Sequence, residues 1–226
     1  MIRVITITHQ CGSGGTTLAR LLAHKLGWNL VDRGLIERVA RVTDLDTSTA
    51  EYLDEQATRW CGVLKARGIN LDTLCSPVVP RWFGEIDDES ILDLANQFIR
   101  TAADLGECVI AVPGAQCLLL DREDVFKVLV YAPIEKRVAR VHDRHPGCVN
   151  AEAFLRQMDL QSAKYTLEHY GSEWLGVGLY LYDLCVNSCM GLDAAAALIN
   201  AELALLENRG TPPVQELSPC HAPQQL

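Results

Sequence analysis

Along the first forty or so residues the hydrophobic positions change period three times. Arg3 to Thr8, "RVITIT", alternates β-branched apolar residues with others, the two-residue period of a strand. After a glycine-rich turn, Leu18, Leu21, Leu22 and Leu26 recur at helical spacing, and Gly27 follows as a stop. "WNLVD" then reads as a short second strand ending at Asp32, and Leu35 to Val42 as another helix.

Further on, "ECVIAVPG" and "VFKVLVYAP" are almost wholly apolar, the pattern of strands buried on both faces of a parallel sheet. Helices are expected over Ile134 to Asp143 and over Ala151 to about Tyr170. "YDLCVNS" reads as the last strand and "GLDAAAALINAELALLEN" as the last helix. Strands alternating with helices predict an α/β domain with a parallel sheet and helices on both faces. Residues from about 44 to 104 are helical in pattern but broken by Pro77, Pro80 and Gly84, as expected of a helical insertion covering a site. The domain is expected to span 1–208, and the proline-rich stretch 209–226, without apolar period, to be disordered.

Composition adds exclusions. A chain of 226 residues, 49% hydrophobic, can bury one substantial core, and its net charge of −9 gives no general surface for nucleic acid or an anionic membrane. No apolar run approaches the ~20 residues of a membrane span, and the chain opens on a strand, which together predict a cytoplasmic protein. Nine cysteines, an odd count with no C-x-x-C pair, predict reduced and mostly buried thiols. His142 and His145 lie three apart, but no neighbouring ligands complete a metal site.

The chemistry is concentrated in "HQCGSGGTT", between the first strand and the first helix. A turn there converges backbone N–H groups on the positive end of the following helix, where anions are favoured. Gly12, Gly14 and Gly15 supply the dihedrals and bare backbone that a phosphate needs, although a tight structural turn would use glycines too. The Walker pattern G-x-x-x-x-G-K-[ST] fits in part: with Gly14 at the second glycine, His9 stands at the first, Gly15 at the lysine and Thr16 at the hydroxyl that meets magnesium. A dinucleotide-binding reading has Gly12, Gly14 and the strand-ending Asp32 in its favour, but Thr17 occupies its third glycine.

The segment "HQCGSGG" resembles the R-Q-x-G-S-G-G of the cytidylate kinase-like family, whose members often lack the Walker lysine. "LVDRGLIERVA" is similar to the family's monophosphate-binding segment, and "VYAPIEKRVARV" to its strand leading to the lid. "MDLQSAKYTLEHYGSEWLGVGLYLYDLCVNS" is similar to D-x-x-R-x-x-Y, a Trp, then Y-D-L-x-x-N-[ST], kept at Asp159, Tyr165, Trp174, Tyr182, Asp183, Leu184 and Asn187. The resemblance covers about residues 2 to 208. It implies a P-loop NTPase-like fold with a helical monophosphate-binding insertion and a lid-like helical segment at about 142–172. It also implies ATP and magnesium as cofactors and nucleotides as partners, and the best-guess reaction is phosphorylation of CMP or dCMP.

In that reading His9, Gly12, Ser13, Gly14, Gly15, Thr16 and Thr17 hold the ATP phosphates, with Thr16 toward magnesium. Asp32, Arg38 and Asp159 meet the acceptor, and Arg38, Arg137, Arg140 and Lys164 supply charge to the transfer, with Arg33 and Arg156 as further cations near the motifs. Three positions depart from the family pattern: His9 and Ser162 stand where it has arginine, and Pro113 replaces the arginine of G-R-G-A. One well-placed arginine can be worth ~10³–10⁵ in phosphoryl-transfer rate, and no acidic residue ends "CVIAVPG" to hold magnesium. A second reading therefore stands beside the kinase: a non-catalytic, nucleotide-binding or regulatory protein of the same fold.

Overall fold

A computed structural model of the chain describes residues 1–43, 55–69, 89–172 and 176–208. The "CSPVVPRWFGE" stretch, Trp174 and the 209–226 tail lie outside the described residues. Five strands, β1 (Val4–His9), β2 (Asn29–Asp32), β3 (Cys108–Ala111), β4 (Val125–Tyr131) and β5 (Leu184–Asn187), form one sheet in the order β2-β3-β1-β4-β5. Every pairing is parallel; β1 lies between β3 (Val4 opposite Cys108) and β4 (Val4 opposite Val125).

The helices are α1 (Gly15–Leu26), α2 (Arg33–Thr43), α3 (Glu55–Ala66), α4 (Glu89–Leu105), α5 (Ala115–Leu118), α6 (Ile134–Arg144), α7 (Ala151–Tyr170) and α8 (Leu192–Asn208). They cover both faces because successive strand residues point in opposite directions. Val4, Ile110 and Val125 join Leu35, Trp60, Phe98 and Ile99 of α2 to α4 in one core. Ile5, Val109 and Val128 join Leu18 and Leu22 of α1 and Ile199 of α8 in the other. Burying each such large side chain contributes about 1.5–3 kcal/mol. Among the described residues no helix is long and apolar enough to cross a membrane.

Local chemistry sets the boundaries. Gly27 ends α1 in the left-handed conformation (φ 68°), its N–H turned back to Ala23 and His24 carbonyls. Asp32 starts α2 by accepting the Leu35 N–H at 2.8 Å, so the carboxylate caps a helix. The "YDL" motif is a splice between strands. Asp183 accepts the Lys127 N–H at 2.7 Å and donates its own N–H to the Lys127 carbonyl at 2.8 Å, which sets β5 beside β4. Asn187 then caps the following turn through the Cys189 N–H at 3.0 Å.

Candidate functional site

The carboxyl end of β1 delivers the glycine loop to the start of α1. The loop is fastened to the end of β4: Ser13 Oγ donates to the Val130 carbonyl at 3.2 Å, and Gln10 Oε1 accepts the Ala132 N–H at 3.2 Å. Gly12 and Gly14 take φ of 75° and 89°, which side-chain-bearing residues rarely adopt. Among the described residues no side chain caps α1 at Gly14, so the orphan N–H groups of its first turn are of the kind that accept an anion.

Gly15 answers to a different constraint, since its φ is not positive. A Cβ there would stand 2.2 Å from His9 Cβ and 2.4 Å from His9 Cγ. The imidazole occupies the space that any side chain at the lysine position would need.

The hydrogen bonds of His9 fix its chemistry. Nδ1 is 3.2 Å from the Gln10 carbonyl, which can only accept, so Nδ1 carries the proton. Nε2 is 3.2 Å from Thr16 Oγ1 and, in the neutral ring, accepts the Thr16 hydroxyl proton. Burial pulls the His9 pKa below its ordinary value, outweighing the Gln10 hydrogen bond and the charge of Asp159, and favours this neutral form. With its proton turned inward, Thr16 presents oxygen lone pairs outward, the orientation a magnesium ligand requires. The loop and Thr16 therefore suit a magnesium-bound phosphate.

Helices α6 and α7 grip the loop from outside. Arg140 donates Nη1 to the Ser13 carbonyl at 2.8 Å and to Ser188 Oγ at 2.9 Å, and Nη2 to the Ser188 carbonyl at 3.1 Å. Arg137 donates Nη1 to the Cys11 carbonyl at 3.1 Å and to Asp159 Oδ2 at 2.6 Å. Arg137 is buried and Asp159 half-buried, with side chains 7% and 16% exposed. The other Asp159 oxygen accepts the Cys11 N–H at 3.0 Å, so a carboxylate of α7 engages a loop amide. Burial, with the neighbouring Asp159, pushes the Cys11 thiol up, and Cys11 stays a thiol.

The other sequence-predicted residues are distributed unevenly. The Arg38 guanidinium and the Asp32 carboxylate flank Gly34, within 3.3 and 3.4 Å of the position a Cβ there would take. Lys164 pairs with Glu168 at 3.6 Å on the exposed side of α7, and Arg156 pairs with Glu152 at 2.7 Å, likewise at the surface. Thr17 is exposed on the first turn of α1. Among the described residues no three His, Cys, Asp or Glu side chains cluster as a metal site.

His9, Pro113 and Ser162, far apart in sequence, line one cavity of about 120 Å³ between the loop, the β3–α5 turn and α7. Gly114 closes its rim at φ 83°, where Tyr170 packs so tightly that a Cβ would stand 2.1 Å from the ring. Tyr170 also donates its hydroxyl to Asn96 Oδ1 at 2.8 Å, anchoring the end of α7 on α4. Gln116, on α5 and fully buried, lines the same cavity; its residue type and position carry no motif by which it could be found from sequence.

The profile of the cytidylate kinase-like family matches residues 4–189. A cytidylate kinase from Thermococcus sibiricus is 26% identical over 203 residues, 88% of this chain and 87% of that protein. One from Methylococcus capsulatus is 30% identical over 131 residues, 56% of this chain and 52% of that protein. In structure, an uncharacterized protein from Eubacterium ventriosum superposes with a TM-score of 0.63 at 19% identity, covering 90% of this chain and 99% of that one. A shikimate kinase from Bacteroides thetaiotaomicron does so at 0.50 and 13% identity, with the same coverage. At these identities the two solved structures speak to the fold alone.

Proposed function

The chain belongs to the cytidylate kinase-like family, and from that premise we propose that it is an ATP-dependent phosphotransferase acting on a nucleotide, with CMP or dCMP as the first acceptors to test. The observation that carries this reading is the start of α1: an uncapped helix end, two glycines at positive φ, and the Thr16 hydroxyl held by neutral His9. Gly12 to Thr17 would hold the ATP phosphates, and Thr16 would be the protein ligand of magnesium. The ion would supply charge neutralisation on the phosphates.

Arg137 and Arg140 act, in this reading, as positioning residues that keep the loop shaped for phosphate. The transfer depends on positioning and charge more than on covalent chemistry, so loop rigidity contributes directly to rate. Arg38 and Asp32 at Gly34 would meet the acceptor, and α7 would act as the lid, with Asp159 at its contact with the loop. Lys164, paired at the surface, has no part in this scheme.

A second reading, nucleotide binding without transfer, is favoured by one observation: both oxygens of the Asp159 carboxylate are already engaged, one by the Cys11 N–H and the other by Arg137 Nη1. A coupled assay with ATP, magnesium and a panel of monophosphates separates the two, with calorimetric titration of the same samples. Turnover supports the kinase. Nucleotide binding with no turnover supports the second reading, and folded protein that neither binds nor turns over removes both.

A further inference from the structure

The cavity under α7 holds an unexplained polar group. Gln116 is fully buried, yet among the described residues its Oε1 has no hydrogen-bond partner. Its Nε2 donates to Tyr182 Oη at 3.4 Å, and that hydroxyl also pairs with Thr8, so the amide nitrogen is engaged on the protein side and the carbonyl oxygen is the unengaged end. Buried carbonyl oxygens are normally paired, and one left open beside a cavity suits an N–H or O–H of a ligand.

The remainder of the lining limits what that ligand is. Val112, Pro113 and Met158 give apolar walls, and the thioether of Met158 is a favourable neighbour for a flat ring. The volume of about 120 Å³ is of the order that admits one six-membered ring, since a cavity of ~150 Å³ admits benzene. Among the described lining residues there is no lysine or arginine, so an ionised phosphate would lose its water there without a counter-charge.

We infer that Gln116 is a specificity-determining residue: it accepts a hydrogen bond from an amino group on the uncharged ring of the acceptor, which enters this cavity while the acceptor's phosphate stays outside. The inference rests on the acceptor reading above and deepens it. A ring with a carbonyl in place of the amino group sets two acceptors against each other and is rejected, as base edges are told apart elsewhere.

Calorimetric titration of the full chain without ATP tests this independently of phosphoryl transfer. The probes are CMP, UMP and the CMP analogue that has hydrogen in place of the 4-amino group. Wild type is expected to bind CMP roughly 10- to 100-fold more tightly than either of the others. In Gln116→Met, matched to wild type by circular dichroism, that preference should collapse to within about threefold, with UMP affinity little changed. Equal affinity of wild type for CMP and the analogue overturns the inference without any variant. Turnover with equal CMP and UMP binding overturns the role of Gln116 and leaves the kinase standing. Discrimination without turnover does the reverse.

Discussion

The contact between His9 and Gly15 permits a quantitative test. At Gly15 the backbone is acceptable to any residue, so the cost of a side chain there is steric. A new Cβ would stand 2.2 Å from His9 Cβ, 2.4 Å from Cγ and 2.6 Å from Cδ2, all well inside van der Waals contact. Overpacking of this kind costs about 1–3 kcal/mol, whereas alanine for glycine in a helix ordinarily gains up to about 1 kcal/mol. With His9 in place, Gly15→Ala should therefore destabilise by about 1–2 kcal/mol, or roughly 2–8 °C in Tm for a chain of this size. His9→Ala removes Cγ and Cδ2 but keeps the nearest atom, so it should relieve part of the cost. His9→Gly removes all three, and Gly15→Ala in that background should be neutral or stabilising. Urea denaturation of the three pairs measures the coupling, expected to exceed about 1 kcal/mol. If Gly15→Ala costs the same in all three backgrounds, the imidazole is not what keeps position 15 bare.

Three further outcomes are expected. Arg137→Met strands the half-buried Asp159 carboxylate and should cost about 1–3 kcal/mol in equilibrium unfolding, with Asp159→Asn restoring part of it; additive losses would contradict a shared pair. Because burial depresses the His9 pKa in the folded state, its neutral form contributes stability that is complete above the unfolded value of about 6.5 and is lost as pH falls below it. Wild type should accordingly lose more stability than His9→Gln between pH 6.5 and 5.5, and parallel slopes would refute the burial argument. Cys108, buried and with its thiol pushed up to about 12, should resist iodoacetamide at pH 7.5 until the protein unfolds; rapid native alkylation mapped by mass spectrometry would contradict its place in the core.

What the sequence made legible was what is periodic or local. Every strand expected from the apolar pattern is present to within three residues at either end, because the alternation of β1 and the uniform runs of β3 and β4 are direct records of burial. The glycine loop was legible for the same reason: a strand, a turn and a helix are neighbours in the chain. Between 44 and 104 the pattern indicated broken helices, of which α3 and α4 are described. What stayed hidden depends on contacts between distant segments. Asp159 meets Cys11 across 148 positions, and Arg140 meets Ser13 across 127. The convergence of His9, Pro113 and Ser162 on one cavity could not be read from three separate departures. Gln116 matters because nothing among the described residues pairs with its oxygen, a property that exists only in the folded chain. His9 changed most: from sequence it was a phosphate-holding residue standing where the family has arginine, whereas in the structure it is a neutral ring that orients a hydroxyl.

The filled space behind Gly15 also constrains the history open to this loop. A lysine gained at position 15 while histidine stands at 9 carries the overpacking cost worked out above, whereas after position 9 shrinks it does not. Both orders of change carry a cost: substituting position 15 first overpacks the loop, and shrinking position 9 first releases the hydroxyl of Thr16 with nothing yet gained. Two residues six apart behave as one heritable unit, with sign epistasis between them. A search for lysine-bearing variants by single-site mutagenesis would sample only overpacked ones, whereas a paired library at 9 and 15 would reach those free of that cost.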